Sequence, residues 1–215
     1  FTELGQLEAA VTSCQRALVL NPDYAEAHHN LGLALIEQGS FDEAVASCQR
    51  ALSLNTEFVE AYNNLGIALK NQELDDKAII FYNKALEIRP DYAEAHYNLG
   101  IVLAEWGQID ESLASYQKAI TIKSDYFEAH SNIGNVYRLL GSLDEAEKSF
   151  RKALELKPGY WKAHSNLLYA EQYRPRHTVE TLYKLHEEWD SAHGQVFRKV
   201  WSEHVNNPNP VRRLR

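Results

Sequence analysis

The chain has 215 residues, of which 45% are hydrophobic, and a formal net charge of -8. That apolar share can build a core, which excludes a disordered tail, and the acidic balance excludes a broad nucleic-acid surface, since phosphate binding wants clustered lysine and arginine. Cys14 and Cys48 are too few for a disulfide framework, and no apolar stretch reaches the length of a membrane span.

The chain starts at Phe1 and contains no methionine, so it reads as a piece of a longer polypeptide. Without a signal peptide, its expected place is the cytoplasm, or the nucleus and cytoplasm of a eukaryote.

An internal period organises most of the chain. Ala25-Glu-Ala-His-His-Asn-Leu-Gly32 returns as Val59-Glu-Ala-Tyr-Asn-Asn-Leu-Gly66, as Ala93-Glu-Ala-His-Tyr-Asn-Leu-Gly100 and as Phe127-Glu-Ala-His-Ser-Asn-Ile-Gly134, each 34 residues after the last. Residues 1–24 are then the end of an earlier copy, mainly its second helix. Four full copies occupy 25–58, 59–92, 93–126 and 127–160. Residues 161–194 hold a partial copy and a capping helix, and 195–215 a short helix and a linker. A period of this length means stacked units that bury a core only against their neighbours.

Each copy predicts two helices. Gly5, Gly39, Gly107 and Gly141 stand at the fifteenth place, where a left-handed residue ends the first helix. Glu73 stands there in the 59–92 copy, so that turn is expected to be built differently. The second helix carries Ala10, Ala44, Ala78, Ser112 and Ala146 at the twentieth place. Ala17, Ala51, Ala85, Ala119 and Ala153 occupy the twenty-seventh, and these small residues let helix backbones approach closely. Pro22, Pro90 and Pro158 close three copies, with Thr56 and Ser124 in the others.

Several patterns that suggest chemistry have structural explanations. Eight of ten glycines sit at repeat places, which excludes a glycine-rich phosphate loop. His28, His96, His130 and His164 share the fourth place with Tyr62, so packing is expected over metal ligation. Cys14 and Cys48 share the twenty-fourth place with Tyr82, Tyr116 and Phe150, and are expected as buried, unbridged thiols. Asp42-Glu43 and Asp144-Glu145 open second helices, where acidic residues suit the helix dipole. No catalytic residue, metal or cofactor is expected.

The tail departs from the period. Leu168 replaces the eighth-place glycine, and Tyr173-Arg-Pro-Arg-His177 ends the helix. Thr178 is the expected N-cap of a helix carrying Val179, Leu182, Leu185 and Trp189, running to about His193 with Gly194 past its end. Val196, Phe197, Val200, Trp201 and Val205 predict another short helix before the linker Asn206-Asn-Pro-Asn-Pro210. The surplus of arginine and lysine after residue 195 reads as a solvated linker.

With Asn-Leu-Gly, alanine and proline recurring in frame, residues 1 to about 173 resemble the tetratricopeptide (TPR) family. The resemblance implies an all-α superhelical solenoid of antiparallel helix pairs, with first helices lining a concave groove. The implied partner is a protein or peptide, not nucleic acid or a membrane.

A second resemblance covers about fifty residues. His164-Ser-Asn-Leu-Leu-Tyr-Ala-Glu-Gln-Tyr173, followed by Leu182-Tyr-Lys-Leu-His-Glu-Glu-Trp189 and His193, is similar to the junction between repeats and catalytic region in O-linked N-acetylglucosamine transferases and SPINDLY-type relatives. It implies a substrate-recognition arm with a C-terminal glycosyltransferase domain in the parent chain. The alternative is an ordinary solenoid cap on a stand-alone adaptor or co-chaperone-like assembly protein. The same resemblance makes the sixth-place residues Asn30, Asn64, Asn98, Asn132 and Asn166 a ladder for peptide backbone, each amide offering both donor and acceptor. The neighbouring His29, Asn63 and Tyr97 are expected to tune side-chain preference, with His29 directed toward the groove.

Overall fold

The computed structural model describes residues 2–174 and 178–194. The helix and linker expected within 195–215 lie outside the described residues.

The elements are α1 (Thr2–Leu20), α2 (Ala25–Gln38), α3 (Phe41–Leu54), α4 (Val59–Asn71), α5 (Asp75–Ile88), α6 (Ala93–Glu105), α7 (Ile109–Ile122), α8 (Phe127–Leu139), α9 (Leu143–Leu156), α10 (Trp161–Glu171) and α11 (Val179–Trp189). There is no strand among the described residues. Each even-numbered helix from α2 to α8 packs most extensively on the helix after it.

Small residues make that pairing possible. A Cβ added to Gly66 would lie 2.5 Å from Cε1 of Tyr82, one on Gly100 2.7 Å from the Tyr116 ring, and one on Gly134 2.6 Å from Phe150. The eighth-place glycine thus removes the one atom that would hold the twenty-fourth-place ring away. Ala44, Ala78, Ser112 and Ala146, with Ala51, Ala85, Ala119 and Ala153, are all fully buried in the same seams. Ser112 satisfies its hydroxyl there by donating to the Gly100 carbonyl at 2.8 Å.

Turns between paired helices obey the predicted chemistry at Gly39, Gly107 and Gly141, whose φ values are 83°, 75° and 74°. Glu73 corrects the expectation for its copy. With φ at 62°, it adopts the same left-handed turn despite its side chain, at a strain of roughly 1–2 kcal/mol. The turn is held by Glu73 N–H on the Lys70 carbonyl at 2.9 Å and Leu74 N–H on the Leu69 carbonyl at 3.0 Å. Gly5 is a second correction: α1 runs through it unbroken from Thr2.

Successive first helices (α2, α4, α6, α8 and α10) touch one another, whereas second helices make no comparable contact with each other. The array therefore curls with its first helices on the tighter, concave side. Side chains at the end of one first helix also latch onto the start of the preceding second helix. Gln72 donates to Asp42 at 2.6 Å, Trp106 to Asp75 at 3.1 Å, and Arg174 to Asp144.

At the C-terminal end Thr178 caps α11 as expected, accepting from the Thr181 N–H at 3.3 Å. The helix does not continue as α-helix to His193. After Trp189 it widens into a single π turn, Asp190–Gly194. No residue of α11 itself is fully buried. It is held to α10 by Trp189 Nε1 donating to Ser165 Oγ at 3.0 Å and by His164 Nδ1 against His193 Nε2, also at 3.0 Å.

Candidate peptide groove

The concave wall is built where one first helix meets the next. Asn98 on α6 donates its amide to Asn63 Oδ1 on α4 at 2.9 Å. Asn132 on α8 donates toward the hydroxyls of Tyr97 and Tyr116, both at 3.4 Å. The sixth place of one copy therefore meets the fifth place of the copy before. Tyr97 is wedged among Tyr126, at 4.8 Å between ring centroids, and Tyr116, at 5.9 Å. Burial pushes the Tyr97 hydroxyl up to about 12, so it stays protonated as a hydrogen-bonding group.

This arrangement modifies the expected ladder. The amide NH2 groups of Asn98 and Asn132 are engaged within the wall, while their Oδ1 atoms take part in no hydrogen bond among the described residues. Asn63 and Asn64 are buried, Asn132 and Asn166 half-buried, and Asn30 exposed. The structure brings Asn63 to Asn98 and Tyr97 to Asn132. Among the described residues it forms no such pair at Asn30, Asn64 or Asn166.

His29 is not free in the groove. Its ring lies against Phe58 with centroids 4.6 Å apart, and its buried Nδ1 has no hydrogen-bond partner among the described residues. Burial lowers its pKa below the ordinary histidine value, opposed by Glu60 and Glu26.

Sequence reasoning missed a charged register on this wall. Lys70 Nζ on α4 pairs with Glu105 on α6 at 2.9 Å. These are twelfth and thirteenth places, which vary from copy to copy and so carry no repeated signal.

The fourth-place histidines engage the loops between copies. His28 Nε2 meets the Pro22 carbonyl at 2.9 Å, His96 the Pro90 carbonyl at 2.9 Å, and His130 the Ser124 carbonyl at 3.2 Å. His164 meets His193 instead. Cys48 is buried, and burial pushes its thiol up to about 12. Cys14 corrects the expectation of a second buried thiol, being only partly covered; both cysteines are unbridged.

On the outer side a cleft of about 590 Å³ opens between α5 and α7 over α6, lined by Leu86, Pro90, His96, Leu99, Ser115 and Ile122. One copy earlier, stacked Tyr62 and Phe81 occupy the places of His96 and Ser115, with ring centroids 6.3 Å apart. No described helix is long and apolar enough to cross a membrane.

Stacked helix hairpins with a continuous first-helix wall define a helical solenoid of the kind that binds proteins. Tetratricopeptide repeat models match residues 23–91, 81–114 and 127–160, and a TPR repeat model matches 1–39 and 102–141.

A solved structure of MamA is 31% identical, with 73% of this chain and 92% of that one covered at a TM-score of 0.62. TTC0263, a thermophilic TPR protein in Thermus thermophilus, is 26% identical, with 80% and 93% covered at a TM-score of 0.68. YrrB, described as a TPR protein with an unusual peptide-binding site, shares the fold at 23% identity, with 89% and 100% covered and a TM-score of 0.64. No curated protein matches the chain significantly. The chain belongs to the tetratricopeptide repeat family and is a protein-interaction scaffold.

Proposed function

We propose that the first-helix wall holds an extended polypeptide mainly by its backbone, as the substrate-recognition arm of a protein O-glycosyltransferase. The carrying observation is the row of side-chain amides bridging α4, α6 and α8, which keeps the Oδ1 atoms of Asn98 and Asn132 available. A peptide N–H can donate to each whatever its side chain. The amides are already oriented by their neighbours, so little freedom is lost on binding. The glycosyltransferase part is supported by the junction, where the segment that resembles such enzymes forms a specific contact set: Ser165 with Trp189 and His164 with His193.

Replacing Asn30, Asn98 and Asn132 together with alanine should weaken peptide binding about tenfold, equivalent to roughly 1.4 kcal/mol. Unchanged affinity in a folded triple variant would remove the ladder from the mechanism. The arm reading is tested by sequencing the parent gene past Arg215. An α/β glycosyltransferase region there supports it, and an unrelated domain or a stop codon sinks it.

A further inference from the structure

The register that joins one first helix to the next treats two cations differently. Lys70 at the twelfth place of its copy meets Glu105 at the thirteenth place of the following one. The same offset from Arg138 on α8 leads to Tyr173, which carries no charge. The Arg138 side chain accordingly makes no ion pair or hydrogen bond among the described residues, and its Nε is buried without a partner there.

Its guanidinium lies over the Tyr169 ring of α10, 5.1 Å from the centroid. The Tyr173 hydroxyl donates to that of Tyr169 at 2.7 Å, which fixes the two rings edge to face. Leu139, Tyr169 and Tyr173 stay exposed beside it, at 64%, 45% and 59%. In a chain of net charge -8, this is an uncompensated cation held on an aromatic platform with apolar surface around it.

Resting on the peptide-groove reading, we propose that Arg138, Leu139, Tyr169 and Tyr173 form a subsite for an acidic side chain next to an aromatic one in the bound polypeptide. The carboxylate takes the open guanidinium edge, and the aromatic neighbour covers Leu139 and the exposed tyrosine faces. An internal side chain fits better than a chain terminus. The wall continues past Arg138 onto α10, so a chain following the first helices runs on beyond this point.

Four copies spaced about 10 Å apart accommodate about twelve extended residues. The test therefore uses fluorescein-labelled, C-terminally amidated Gly/Ser/Thr peptides of about that length. Their centres carry Asp-Phe, Asn-Phe, Lys-Phe or Asp-Ala, and a further arm has no central acid but a free C-terminus. Each is titrated by anisotropy against the 215-residue chain and its Arg138→Gln and Arg138→Glu variants.

The expected result is Asp-Phe bound about tenfold more tightly than Asn-Phe or Asp-Ala. Arg138→Gln should abolish the acidic preference, and Arg138→Glu should transfer it to Lys-Phe. Equal binding of all four amidated peptides overturns the subsite and leaves the groove standing. Preference for the free C-terminus alone overturns the side-chain assignment. Failure of every peptide to bind the folded chain overturns both the subsite and the groove.

Discussion

Gly134 and Leu168 hold the same place in adjacent copies, and the molecule is built differently around each. At Gly134 the missing Cβ lets Phe150 lie fully buried against the helix backbone, and α8 and α9 pack along their length. At Leu168 no second helix nests against the backbone, and α11 attaches through polar contacts at its far end. The paired helices are held by apolar seams repeated from copy to copy, a seam that α10 still shares with α9 through Leu167 and Ala170, whereas α11 is held by individual polar contacts. The first should fail through cavities and overpacking, the second through lost partners and changed protonation.

The largest effect is expected in the seam. Phe150→Ala deletes a ring with no exposed surface and should lower stability by about 3–5 kcal/mol in urea titration followed by circular dichroism. Val179→Ala, at an exposed position of α11, should stay within about 0.5 kcal/mol. Similar losses at the two sites would erase the distinction between them.

Arg174 sharpens the comparison because it holds the end of α10 to α9 by charge, beside the apolar packing of Leu167 and Ala170. It is buried among the carboxylates of Asp144, Glu147 and Glu171, and also donates to the Leu143 carbonyl at 2.6 Å. Arg174→Ala takes away a cation that lies 3.2 Å from the buried Glu171 carboxylate and should destabilise by about 3 kcal/mol. Hydrogen exchange should report the loss in α10 first and in α4 last.

Gly134→Ala is milder. The new Cβ would sit 2.6 Å from the Phe150 ring, an overpacking of about 2 kcal/mol. Adding Phe150→Leu should recover part of it, because the smaller side chain frees the same space. Failure of the pair to couple would mean that the glycine is not there to admit the ring.

The same contrast decides how much of the molecule is legible in the sequence. Gly66, Gly100 and Gly134 are readable because one environment recurs every 34 residues and each copy repeats its constraint. Glu73 misleads because a left-handed φ can be imposed by surrounding hydrogen bonds as well as permitted by glycine. The asparagine row is visible as a pattern. Its pairing is not, because Asn98 reaches Asn63 across a 35-residue separation that depends on how copies are inclined to each other. Arg138 gives no signal because what sets it apart is the absence of a carboxylate from its register, and Tyr173 in the next copy decides that.

The smallest effect concerns pH and belongs to the cap. His164 and His193 share a hydrogen bond that requires one ring nitrogen to accept, so protonation of both rings breaks it. Burial lowers the His164 pKa below the ordinary histidine value; the neighbouring His193 lowers it further, Glu188 opposes, and Arg151 adds to the lowering. The neutral ring is therefore favoured more in the folded than in the unfolded chain. Its contribution is fully present above the unfolded value of about 6.5 and is lost as pH falls toward and through the lower folded value. His29 and His96 are shifted in the same direction by burial, so the whole array should weaken on acidification, but they lie on α2 and α6, which do not pack extensively on α11. Exchange in α11 should therefore rise below pH 6.5 more steeply in the wild-type chain than in His164→Gln, whose side chain does not titrate. Parallel acid profiles for the two chains would show that this histidine pair does not set the docking of the cap.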